Sequence, residues 1–130
     1  MSTRFLLLLG LAAAAAATAY VMYAMTMEPS TAGEERITVY MGEYHYTPNE
    51  VHVKRNVRTL IFFVNGGAYP HNAYLKEESR DLVPVLYPGN STSVELVFGR
   101  AGVYSILCTV AYPAPVSHYE LGMVAKLVVR

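Results

Sequence analysis

The chain is poor in the groups that most often announce a function. Of its 130 residues one is cysteine and four are histidine. A single thiol cannot close a disulfide within the chain, so the fold has to hold without one. Basic and acidic residues balance at ten each, and no run of lysine or arginine exceeds two residues. That excludes the broad positive field of a nucleic-acid surface, and no nucleic-acid partner is expected. Tryptophan and glutamine are missing altogether, whereas tyrosine, at eleven, is abundant. Past the N-terminus no segment carries the apolar period of a helix, no repeat occurs, and the only low-complexity stretch is a run of alanines.

One long hydrophobic run exists. Arg4 is followed by an uncharged stretch from Phe5 to Met27, enough for a membrane-crossing helix of about 20 residues. A cleaved signal usually has a shorter apolar region of about 7–15 residues. A buried soluble helix would show a polar face, and this run has none. Residues 1–27 therefore read as an N-terminal transmembrane signal anchor, 28–35 as a linker and 36–130 as the domain. Arg4 before the span, with Glu28, Glu34 and Glu35 after it, keeps the N-terminus cytoplasmic and puts the domain on the extracellular or periplasmic side. A free thiol there is an oxidation liability unless it is buried or bound to metal.

The domain divides into short runs between turn residues. Strands are expected near 36–41, 51–55, 57–64, 72–76, 92–98, 102–108 and 123–129, with shorter pieces at 43–46 and 82–86. In VHVK, Val51 and Val53 share a face opposite His52 and Lys54; in GVYSILC, Tyr104, Ile106 and Cys108 point one way. Tyr44 and Tyr46 alternate with His45 and read as core aromatics, leaving His45 and His52 facing solvent. Many short strands without helices imply an all-β Greek-key β-sandwich.

The donors of soft metal ligation are few and grouped. Cys108 closes an apolar strand, His118 follows after nine residues, and Met123 after four more. His71 sits upstream in NGGAYPHNAYL, between a glycine-rich turn and a strand. A thiolate, two imidazoles and a thioether suit copper in single-electron transfer; zinc would gain little from the methionine.

Several segments together resemble the cupredoxins, the blue-copper family of plastocyanin, halocyanin and sulfocyanin. EYHYTPNEVHVKRN resembles their opening strands, VNGGAYPHNAYL the segment carrying the first histidine, PGNSTSVELVFGRAGVYSILCTV the strand pair delivering the cysteine, and HYELGM the second histidine and axial methionine. The resemblance spans about residues 36–130. It implies a cupredoxin fold and one type 1 copper ligated by His71, Cys108, His118 and Met123. It further implies that Asn72 and Thr109 tie the two ligand loops by hydrogen bonding, and that the ring edge of His118 reaches the surface and conducts the electron.

The departure is the nine-residue gap, TVAYPAPVS, where small relatives have two to four residues. Copper nitrite reductases have a comparably long loop but need three further histidines for a second copper, and only His45 and His52 remain. The binuclear centre of oxidase subunit II needs two cysteines. The loop thus changes the surface around the copper, with Tyr112, Pro113, Pro115 and Val116 forming an apolar collar near His118 for a redox partner. The expected function is electron transfer between respiratory membrane complexes, such as a quinol-oxidising complex and a terminal oxidase, by a carrier that is not itself an enzyme. The alternatives are a fixed, subunit II-like part of a terminal oxidase and a copper storage or delivery protein.

Overall fold

The computed structural model describes residues 33–130, so the signal anchor at 1–27 and most of the linker lie outside the described residues. Among those described, no helix is long and apolar enough to cross a membrane. Among the described residues nine strands form two sheets. β1 (Glu35–Gly42), β2 (His45–Thr47), β4 (Thr59–Asn65) and β7 (Ser91–Leu96) make the first, in the order β2-β1-β4-β7. β3 (Glu50–Val53), β5 (His71–Leu75), β6 (Arg80–Leu86), β8 (Gly102–Leu107) and β9 (Val124–Val129) make the second, ordered β3-β9-β8-β5-β6. The only helical pieces among the described residues are two 3₁₀ turns, Lys76–Glu78 and His118–Leu121.

Alternation explains the layering. On β4 every second residue from Thr59 is buried, and on β3 and β9 the same holds for Val51, Val53, Ala125, Leu127 and Val129. The inner faces meet as one core: Val39, Met41, Ile61 and Phe63 from one sheet against Leu75, Ile106 and Leu127 from the other. Each such side chain contributes about 1.5–3 kcal/mol on burial, which is how a domain without a disulfide holds together.

The expected strands are present, with shifted ends. The strand expected at 51–55 stops at Val53, and the one expected at 57–64 starts at Thr59. Between them Asn56 adopts a left-handed conformation, with φ of 60°. Asparagine tolerates this better than most residues, and extended pairing cannot continue through it. The piece at 82–86 is a seven-residue strand, Arg80–Leu86, held at the sheet edge by pairing with β5. His45 and His52 are exposed, Tyr46 is buried, and Tyr44 is half-buried against the core.

Candidate metal centre

Strand direction brings the donors to one end of the sandwich. β8 and β9 are antiparallel with Leu107 opposite Val124, so Cys108, one residue on, meets Met123, one residue before. Cys108 N donates to Met123 O at 3.3 Å. His71 opens β5, the neighbour of β8. His118 opens a 3₁₀ turn whose entry is capped by reciprocal Ser117 and Glu120 hydrogen bonds. The exit needs Gly122, whose φ of 102° few other residues adopt; Met123 N can then donate to His118 O at 3.0 Å. This is the physical reason for glycine directly before methionine.

The side chains converge. His71 Nδ1 and His118 Nδ1 are 3.0 Å apart, and Cys108 Sγ is 3.4 Å from His118 Nδ1 and 3.8 Å from His71 Nδ1. His71, Cys108, His118 and Met123 all have 0% exposure. The far side of each ring fixes its tautomer. His118 Nε2 is 2.6 Å from the carbonyl oxygen of Tyr112, which can only accept, so Nε2 carries the proton. His71 Nε2 is 3.1 Å from Glu43 Oε1, which already accepts N–H bonds from Ala68 at 2.8 Å and Tyr69 at 2.9 Å. The two Nδ1 atoms face each other across 3.0 Å, and in the neutral ring with its proton on Nε2 that atom is a lone pair. Two lone pairs and a sulfur aimed at one buried point form an arrangement that a soft cation stabilises.

Electrostatics agree with this reading. Burial, reinforced by His118, holds His71 below the ordinary imidazole range despite the opposing pull of Glu43. Burial pushes the Cys108 thiol up, against backbone N–H bonds from Asn72 and Val110. Without a metal the thiol keeps its proton, and coordination removes it. Burial, and then the nearby Cys108, drive the Tyr46 phenol far above its usual range; its hydroxyl donates to Asn72 O at 2.6 Å.

Asn72 fastens the two ligand segments together. Its Nδ2 donates to Thr109 Oγ1 at 2.8 Å, its Oδ1 accepts from Thr109 N at 2.7 Å, and its backbone N–H points at Cys108 Sγ at 3.5 Å. Hydrogen bonds of this kind hold ligand orientation and tune the sulfur.

One expectation fails. The ring of His118 does not reach the surface: it is fully buried, and the Tyr112 carbonyl covers its outer edge. The nine residues between Cys108 and His118 fold back so that the Tyr112 carbonyl meets the ring. The apolar collar lies on the outer side of that cover, with Tyr112 57% exposed and Pro113, Pro115 and Val116 exposed around it.

Three residues around the centre escape a reading of the sequence. Glu43 lies 28 positions before His71, and only the parallel pairing of β1 with β4 brings it there. Asn65 is buried and ties the Gly66–Pro70 loop: its Nδ2 donates to Tyr69 O and Leu86 O, each at 2.8 Å, and its Oδ1 accepts from Gly67 N at 2.9 Å. Tyr44 packs its ring 4.7 Å from that of His118. The available signals were a lone acid in a two-residue hairpin and an asparagine ending an apolar strand, both commonplace on surfaces.

The sequence model of the cupredoxin-like domain matches residues 11–116. The chain belongs to the cupredoxin-like family. The match ends before His118 and Met123; the geometry above brings the His118 ring to the centre, while Met123 is buried and bonded through its backbone to Cys108 and His118. The fold resembles that of auracyanin A, a blue copper protein of the green thermophilic photosynthetic bacterium Chloroflexus aurantiacus, at 24% identity and TM-score 0.62, over 75% of this chain and 100% of that one. An amicyanin variant in its reduced state is 25% identical with TM-score 0.52, over 73% of this chain and 82% of that one. A chain of a haem-copper terminal oxidase dimer is 15% identical with TM-score 0.58, over 100% of both chains. No curated protein matches the sequence significantly. Family and donor set together identify copper in a type 1 site as the cofactor of this cupredoxin.

Proposed function

We propose that this cupredoxin carries single electrons between respiratory complexes at the outer face of a membrane, held there by its N-terminal segment. The observation that supports the electron-transfer part of this reading is the convergence of the Cys108 sulfur and the Nδ1 atoms of His71 and His118 within a buried, hydrogen-bonded frame. When bound, copper supplies a one-electron couple between its cuprous and cupric states. His71, Cys108 and His118 would hold it, with the Met123 thioether as a further, weaker donor. Strand mounting, the Asn72–Thr109 pair and the Tyr112 cap keep these groups from rearranging as charge changes, and the burial of all four excludes water. His118 would hand the electron outward beneath the Tyr112 cover. A terminal oxidase or quinol-oxidising complex would dock on the exposed faces of Tyr112, Pro113, Pro115 and Val116, where weak electron-transfer contacts need little area. The chain is a carrier and not an enzyme on this reading, because a second, catalytic copper needs three further histidines and only His45 and His52 remain.

The test adds Cu(II) to the full chain and records visible and electron paramagnetic resonance spectra. An intense thiolate-to-copper band that disappears in Cys108→Ala is the expected result; its absence in the native protein sinks the reading. A second reading, a fixed subunit of a terminal oxidase, draws on the likeness of fold to a chain of such an oxidase. A subunit co-purifies at constant stoichiometry, whereas a carrier purifies alone and reduces an oxidase at a concentration-dependent rate.

A further inference from the structure

The centre contains one charged side chain that ligation does not use. The parallel register of β1 and β4 pairs Met41 with Asn65, so Glu43 and Gly67, each two residues further on, come side by side. Glu43 Oε1 accepts from Ala68 N at 2.8 Å, Tyr69 N at 2.9 Å and His71 Nε2 at 3.1 Å. Three donors on one oxygen are more than a surface carboxylate needs. The neighbouring residue is shaped for it: a β-carbon on Gly67 would run into the Glu43 carboxylate. The carboxylate cannot swing away without giving up all three bonds, so glycine is what lets it in. Its counterpart on His118 is a neutral carbonyl.

We propose that Glu43 is a positioning residue for the copper centre, holding His71 with Nδ1 toward the metal and setting a fixed negative charge behind that ligand. This rests on the copper reading above. A carboxylate behind one imidazole interacts more favourably with Cu(II) than with Cu(I), so the charge opposes reduction. The hydrogen bond acts separately, by fixing the tautomer and ring orientation that ligation requires. Gly67, Ala68 and Tyr69 are the cradle that keeps both effects in place.

Two variants of the full chain separate the effects. Glu43→Gln keeps an acceptor and removes the charge. Equilibrated with a redox dye, it is expected to move toward Cu(I) by on the order of tenfold, ~59 mV for a one-electron couple, with the thiolate-to-copper band unchanged. Gly67→Ala keeps the charge and displaces the carboxylate, and is expected to weaken copper binding by roughly 10–100-fold. Histidine nitrogen NMR of the metal-free native chain is expected to show His71 protonated on Nε2, and a tautomer mixture in Gly67→Ala. A redox equilibrium displaced less than about twofold in Glu43→Gln overturns the charge effect. A native His71 protonated on Nδ1 overturns the positioning role, and because that measurement needs no metal it stands even if the native chain never turns blue. Should the alanine variant not fold, the glutamine variant and the native tautomer decide.

Discussion

His71 and His118 present the same atom to the same point, and the chain supports them in opposite ways. His71 begins a strand and is backed by a charged side chain from the β1–β2 hairpin, itself pinned by two backbone amides. His118 sits in a loop and is backed by a neutral carbonyl six residues away in that same loop. The first support is built from tertiary structure, joining the β1–β2 hairpin to the loop before β5. The second is local and moves with the loop, which Asn72 and Thr109 fasten at its start. One metal centre thus has a rigid half and a half that can be altered without disturbing the fold.

The contrast can be broken most directly by deleting each ring. His71→Gly and His118→Gly should both abolish the thiolate-to-copper band. Added imidazole should restore it in His118→Gly at roughly tenfold lower concentration, because a loop opens more readily than a paired strand. Equal imidazole requirements would show that the halves do not differ. Next in size is Asn72→Ala, which frees the loop but leaves β5 paired. Copper affinity should fall about 10–100-fold, and hydrogen exchange should quicken in residues 109–117 but not in 71–75. Uniform quickening would mean the two halves share one support. Tyr112→Lys leaves the carbonyl cap in place and charges its outer face. It should slow reduction by the physiological partner roughly three- to tenfold with the copper spectrum intact; unchanged stopped-flow rates would place docking elsewhere. The smallest effect is expected from Pro115→Gly, which loosens only the loop's unfolded ensemble and should cost about 0.4–1 kcal/mol in urea unfolding of the metal-free chain.

The same contrast separates what the sequence disclosed from what it hid. Strands were readable because burial on both sheets enforces alternation, as on β4 and β9. Their ends were less so, since Asn56 breaks a pattern that the valines on either side continue. Cys108, His118 and Met123 could be grouped because they follow one another, and His71 because its chemistry completes the set. Glu43 could not, since parallel pairing joins segments that share no chain proximity and leave no local trace. The burial of His118 was hidden for a different reason. It depends on which backbone carbonyl a nine-residue loop turns inward, and side-chain identities do not encode that.

The complete burial of the four donors has a consequence for how the protein comes to hold copper in a cell. Metal reaches donors with no exposure only when some part of their cover opens, so exchange depends on that opening as well as on affinity. Many soft or borderline cations would accept a thiolate and two imidazoles, and availability then decides among them. The compartment in which folding ends therefore matters alongside the chemistry of the site, since it decides whether copper is within reach when the chain closes.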